Sequence, residues 1–175
     1  MIRLMRFSDA DFEPQFRLIE QRAEEIPAGV EETVGKIIAD VRARGDEALQ
    51  EYTQHFDRLD LNSFGMELTP AQIDAARAQV SNEDLAALEL AAERIRAYHR
   101  RQKQETWICT DEEDIQLGQL VRPLDKVGIY VPGGKAAYPS SVLMNAIPAR
   151  VAGVKEIVMV VPMPGGEVNP HVLAA

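Results

Sequence analysis

Positive charge is scarce in this sequence. The 175 residues include 19 lysines and arginines against 28 aspartates and glutamates, for a formal net charge of −9. A nucleic-acid-binding protein needs a clustered positive surface to displace counterions from phosphates, so the charge balance argues against that class. The one local basic cluster, Arg100, Arg101 and Lys103, follows a long helical pattern. Cations there are explained by the negative end of the helix dipole.

Cysteine is almost absent as well. Cys109 is the single cysteine, which excludes an intramolecular disulfide and favours a reducing compartment. It lies in the segment TWICT, whose β-branched and aromatic residues predict a strand. No basic neighbour or helix N-terminus is available to lower its pKa. We therefore predict a small buried residue rather than a reactive thiol.

Long apolar runs are missing. No stretch approaches the ~20 apolar residues that a membrane-spanning helix needs, and the N-terminus MIRLMRFSDADFE turns acidic without the apolar core of a signal peptide. Hydrophobic residues still make up 46% of the chain, enough for a packed core. These features predict a soluble, cytoplasmic protein with no membrane partner.

Metal-binding and nucleotide-binding signatures are lacking too. The three histidines, His55, His99 and His171, are far apart, and no H-E-x-x-H or C-x-x-C pair occurs. The acidic run 111–114 lacks EF-hand spacing and is predicted to be a solvated turn. The dinucleotide pattern G-x-G-x-x-G and the P-loop pattern are both absent. We predict no metal ligand and no catalytic residue within this chain.

What the sequence does contain divides it in two. Residues 1–105 are predicted to be a mainly helical N-terminal region. Three features support this prediction. Apolar residues from Val30 to Val41 repeat with helical spacing, Thr69 and Pro70 form a helix start, and a long helical pattern begins after Ser81. Residues 106–175 are predicted to form a β-hairpin followed by the start of a βαβ domain.

The βαβ unit is predicted in detail. Buried parallel strands at 126–131 and 157–161 flank a helix that begins at Pro139, and Pro148 should kink or shorten that helix. Asn169 and Pro170 predict one more helix start. A parallel sheet of only two strands would leave its faces and edges poorly covered. The expected fold class is therefore α/β, with a parallel-sheet domain that is incomplete within this chain.

The segment VPGGKAAYPSS, between the first of these strands and the helix, is the best candidate for a site. Gly133 and Gly134 permit close approach of a ligand to the backbone, and Ser140 lies at a helix N-terminus that favours an anion. Without a nucleotide-binding fingerprint, a structural turn and a ligand loop both remain open. Tyr130 is compatible with covering a cofactor ring or with an ordinary core position. The second glycine pair, 165–166, is interpreted as a solvent turn because Glu167 would repel a phosphate.

Two segments of the sequence resemble a known family. The stretch from Tyr130 to Gly134, YVPGG, together with YPSSVLMN at 138–145, closely resembles the N-terminal half of histidinol dehydrogenases. The upstream segment VEETVGKIIADVRARGDEALQEYTQHFD, residues 30–57, is also similar to that family. The resemblance covers nearly the whole chain.

The resemblance implies a fold and a reaction. Histidinol dehydrogenases oxidise L-histidinol to L-histidine with two NAD in histidine biosynthesis. They are zinc-dependent homodimers with Rossmann-like domains that lack the glycine fingerprint. Their zinc ligands and Glu–His pair are expected outside this chain. Tyr130 matches a family tyrosine that contacts NAD, Ser140 is carried over as a residue of the cleft, and the role of Lys135 is doubtful.

We therefore interpret the chain as an N-terminal segment of such an enzyme, inactive by itself. One alternative is a non-catalytic association module that uses an exposed sheet edge and its apolar helical stripes. Another is a different NAD-utilising α/β enzyme that shares this first unit.

Overall fold

The computed structural model of the chain describes residues 4–21, 29–133 and 137–175. The helices in these ranges are α1 (Phe12–Gln21), α2 (Val30–Arg44), α3 (Asp46–Asp57), α4 (Leu61–Phe64), α5 (Pro70–Arg77), α6 (Asn82–Arg100), α7 (Pro139–Ala152) and α8 (Pro170–Ala174). The strands are β1 (Trp107–Thr110), β2 (Gln116–Gln119), β3 (Lys126–Tyr130) and β4 (Glu156–Val160), and a short 3-10 turn spans Pro164–Gly166. The fold is mixed α/β, mostly helical, with two small sheets.

The chain forms two compact units, residues 1–51 and 52–175. The first holds α1, α2 and the start of α3. Gly45 ends α2 with a φ of +62°, and the guanidinium of Arg44 lies 2.7 Å from the Asp40 carboxylate and 2.8 Å from that of Glu51. The hydrogen bond from Arg44 lowers the pKa of Glu51. The predicted boundary near residue 105, where α6 gives way to β1, stays a prediction.

Side-chain caps start α5 and α6 of the second unit, as the sequence predicted. Thr69 caps α5 and forms a capping box with Gln72, with Pro70 at the first helical position. Ser81 caps α6 by accepting from the backbone N–H of Asp84 at 3.1 Å. Such caps satisfy backbone donors that have no partner within the helix. Helix α6 then packs along α7.

The antiparallel hairpin β1–β2 is confirmed, with Trp107 opposite Gln119 and Cys109 opposite Leu117. The Asp111 side chain holds its turn, accepting from two backbone N–H groups at 2.9 Å. Every residue of both strands is exposed. The prediction that Cys109 is buried is therefore wrong, since no other described element packs over this two-stranded ribbon.

Strands β3 and β4 pair in parallel, from Lys126 opposite Glu156 to Tyr130 opposite Val160. Helix α7 connects them and closes at Gly153, whose φ is +103°. Pro148 lies inside α7 without ending it, so the shortening considered from the sequence does not occur. The proline removes one N–H group of the helix, and the cap at Gly153 restores the final turn through bonds to the carbonyls of Ala149 and Arg150.

The core lies on one side of this small sheet. Val131, which is fully buried, packs with Val142 of α7 and Val172 of α8. Complete burial of a valine side chain stabilises a fold by roughly 1.5–3 kcal/mol. On the other side the strands are uncovered, and Val160 is 56% exposed. The prediction that both strands are buried is therefore wrong, because α7 and α8 cover only one face of the pair.

None of the helices in the described ranges combines the length and the apolar character that a bilayer crossing requires.

Candidate functional site

The carboxyl ends of β3 and β4 lie at the same edge of the sheet, because the two strands are parallel. Ligands of open parallel sheets usually bind at this edge. A cavity of about 470 Å³ opens here, within the size range of small-molecule sites. Its lining consists of Pro132, Gly133, Ala137, Val161, Pro162, Met163, Pro164, Glu167, Val168, Asn169, Val172 and Leu173. We call this cavity the carboxyl-edge cleft.

Gly133 packs tightly against the loop that follows β4. A Cβ atom at this position would lie 2.4 Å from the carbonyl oxygen of Pro162, nearer than non-bonded atoms approach. The pairing of the strands also continues one residue past β3, since the N–H of Val131 donates to Val160 at 3.0 Å. Glycine at position 133 is thus required for the two loops to meet. Gly134 and Lys135 lie outside the described residues.

Tyr130 ends β3 on the uncovered face of the sheet. Its side chain is 62% exposed, so the core position considered from the sequence is wrong. Tyr130 does not line the cleft itself, but its neighbours Pro132 and Gly133 do. The ring is therefore exposed, and Tyr130 precedes two lining residues of the cleft in the sequence.

Ser140 lies in the first turn of α7 and is exposed. Tyr138 occupies the cap position of α7, and none of the described side chains caps this helix N-terminus. The N–H of Ser141 donates to the Tyr138 carbonyl at 3.0 Å. Ser140 is not among the residues that line the cleft, whereas Ala137, three positions earlier, is.

The loop after β4 forms the opposite wall, which sequence reasoning missed. The glycine pair 165–166 is interpreted from the sequence as a solvent turn, and Gly165 is exposed, but its neighbours Met163, Pro164 and Glu167 line the cleft. Gly166 also packs inward, where an added Cβ would lie 3.3 Å from the side chain of Leu59. The rule that parallel strands place both carboxyl-end loops at one edge was the signal that could have found this wall.

Helix α8 supports that wall through two sets of polar contacts. The side chain of Asn169 accepts from the N–H groups of His171 at 3.1 Å and Val172 at 3.2 Å. His171 Nε2 lies 3.2 Å from the Asp84 carboxylate at the start of α6. The Ser81 hydroxyl, which donates to that carboxylate, and secondly His171 lower the pKa of Asp84.

A metal does not fit the described residues. Among residues 4–21, 29–133 and 137–175, no group of three or more His, Cys, Asp or Glu side chains is placed to hold an ion. We therefore derive no catalytic step through zinc from this chain.

Comparison with known proteins shows the family of this chain. The family model described as "Histidinol dehydrogenase" matches residues 20–175. The chain belongs to the histidinol dehydrogenase family. It is 63% identical over 175 residues to the histidinol dehydrogenase of Syntrophotalea carbinolica and 59% identical over 175 residues to that of Geobacter sulfurreducens.

A solved histidinol dehydrogenase shares the fold. The crystal structure of the Elizabethkingia anophelis protein aligns with a TM-score of 0.77 and 34% identity, over 86% of this chain and 34% of that one. The two relatives named above are matched over 100% and 99% of this chain but each over 41% of its own length. The chain thus spans about two fifths of these family members.

Proposed function

We propose that this chain is the N-terminal part of a NAD-dependent, zinc-requiring histidinol dehydrogenase that oxidises L-histidinol to L-histidine. The observation that carries the proposal is the carboxyl-edge cleft, whose lining includes Gly133 and which follows the exposed Tyr130 at the end of β3. The proposed Rossmann-like domain is supported by the parallel β3–α7–β4 unit. In the proposed enzyme, NAD accepts hydride, and the metal ligands and proton-transfer groups belong to other parts of the protein.

The described residues suggest how this segment would hold NAD. Tyr130 would cover a ring of the cofactor, and Gly133 would keep the loop after β3 close to the Pro162 carbonyl, which shapes the cleft. The N-terminus of α7, near Ser140, offers the positive end of a helix dipole to the phosphates. Glu167 on the opposite wall would repel a phosphate but accept a hydrogen bond from a ribose hydroxyl. The segment therefore positions the cofactor and leaves the chemistry to the rest of the protein.

Turnover measurements test the proposal directly. We expect the purified 175-residue chain to produce no NADH from histidinol, with or without added zinc, because the described residues form no metal site and the His171–Asp84 pair lies outside the lining of the cleft. A chimera in which this chain replaces the equivalent segment of the Syntrophotalea carbinolica enzyme should produce NADH, since the two are 63% identical. Zinc-dependent activity of the chain alone, or a folded chimera without activity, would contradict the proposal.

A second candidate function is association through exposed apolar surface. Trp107 and Leu117 are 55% and 61% exposed, and the pairing register places them on one face of the hairpin with Cys109. The apolar stripe of α2 is exposed as well, through Val30, Val34 and Ile38. Contiguous exposed apolar surface often marks an interface. In the proposed enzyme, the hairpin face and the α2 stripe would each serve a homodimer.

A further inference from the structure

Four basic side chains surround a second cavity in the larger unit. Arg96, Arg100 and Lys103 project from α6 and the residues after it, and Arg150 comes from the last turn of α7. The spacing of four residues places Arg96 and Arg100 on one face of α6, and Lys103 follows just after the helix ends. With Val151 they line a cavity of about 380 Å³. We call these four residues the basic cluster.

The basic cluster is not neutralised within the part of the chain that the structure describes. None of its four members forms an ion pair with a described carboxylate, and the described lining of the cavity includes no acidic residue. This is unusual in a chain whose formal net charge is −9. Arg150 does donate to the carbonyls of Val154 at 3.2 Å and Lys155 at 2.6 Å. These hydrogen bonds fix the position of the guanidinium group but do not neutralise its positive charge.

Helix dipoles do not account for the cluster. The C-terminus of a helix carries roughly half a negative charge, so the ends of α6 and α7 together supply about one. Four cations line the cavity, an excess of about three. The excess matches the charge of a short chain of phosphates, and guanidinium groups bind phosphate oxygens in pairs.

The neighbouring cavity extends this surface. It has a volume of about 580 Å³, shares Lys103 and Val151 with the first, and is lined also by Arg122, Pro123 and Pro148. The lining of the second cavity is mixed, since His99 and Gln102 lie there as well. Helix α7 begins at the carboxyl edge of the sheet and ends here, and its 14 residues separate the basic cluster from the carboxyl-edge cleft by roughly 20 Å.

We propose that the basic cluster is a binding site for a small molecule that carries a chain of phosphates, distinct from the proposed NAD site. Inorganic polyphosphate and a nucleoside triphosphate share this chemistry. The adjoining cavity, which is lined in part by Pro123, Pro148 and Val151, would hold the base of a nucleotide. Because the side chains are exposed, binding should weaken as salt rises.

Calorimetric titration of the 175-residue chain with inorganic tripolyphosphate, and separately with ATP, tests the proposal at low and physiological salt. We expect saturable binding of tripolyphosphate that R96Q/R100Q/K103Q weakens at least tenfold. The matched control R42Q/R77Q/R94Q changes net charge equally but removes no residue that lines either cavity, and it should weaken binding less than threefold. Thermal unfolding checks that both variants are folded.

The two ligands separate the sources of the phosphate chain. Tighter binding of ATP would identify a nucleotide, and equal binding would identify the phosphate chain alone. Absence of binding, equal losses in the two triple variants, or displacement of tripolyphosphate by NADH would overturn the proposal. A failure of the proposed NAD function would leave these results unchanged, since the readout does not involve histidinol or the cleft.

Discussion

The sequence around Tyr130 marks it as a candidate site residue, but only the packing of the sheet decides whether its side chain is buried or exposed. The strand pattern around it allowed either a core residue or a ligand contact. The structure leaves the ring 62% exposed because alternation along β3 turns position 130 away from the side covered by α7 and α8. Ser140 is exposed as well, near the same edge of the sheet. Contact of either residue with NAD stays a prediction.

Replacement of Tyr130 by alanine tests the proposed contact. If the ring stacks on NADH, its loss should weaken binding roughly fivefold, since stacking on an aromatic side chain contributes on the order of 1 kcal/mol or more. Tyr98 is also 62% exposed but lies on α6, so Tyr98→Ala is a matched control that should have no effect. An NMR titration of each variant with NADH measures both. Equal affinities for Tyr130→Ala and the unmodified chain would rule out the contact.

At the scale of the element, local sequence determines where helices begin and end. The caps at Thr69, Ser81 and Asn169 and the glycine at 153 were all predicted and all appear. They act through backbone donors and acceptors within one turn, so a short window of sequence contains the needed information. Asp84 adds a longer link, since it joins the first turn of α6 to His171 on α8.

The depressed pKa of Asp84 predicts a pH dependence of stability. A carboxyl group whose pKa is lowered by folding stabilises the fold above its ordinary pKa of 3.8, and this contribution disappears as pH falls through the lowered value. The temperature of unfolding should therefore drop below about pH 4, and Asp84→Asn should reduce the drop. Calorimetric scans of Asp74→Asn, an aspartate on α5, provide the control. An identical pH profile for Asp84→Asn and the unmodified chain would contradict this role.

At the scale of the whole molecule, uncovered apolar surface is the main feature. The hairpin, the outer face of β3–β4 and the stripe of α2 all expose large hydrophobic side chains. Parallel sheets in proteins usually have both faces covered by helices. Among the described residues, α7 and α8 cover one face of the β3–β4 pair. In the proposed enzyme, other parts of the protein or a second copy would supply the rest.

Sedimentation velocity tests whether a second copy does so. We expect the chain to self-associate in a concentration-dependent way, and Leu117→Glu to shift it toward monomer, because a charge would then enter the apolar hairpin face. Leu4, 78% exposed, lies far from the hairpin in sequence, and Leu4→Glu should leave association intact. A well-folded monomer at all concentrations would count against the association function.

Sequence alone determined the family, the helix starts at Thr69, Ser81 and Asn169, the hairpin and the βαβ unit, because those features depend on local periodicity, capping and a long specific motif. The exposure of Cys109 and Tyr130 depended on whether another layer covers their strands. The glycine-rich loop after β4 became the second wall of the cleft only when parallel pairing brought it to Gly133. Arg150 joined the basic residues of α6 only through the packing of α6 on α7. Each of these is a contact between residues distant in the chain, which only the tertiary structure decides.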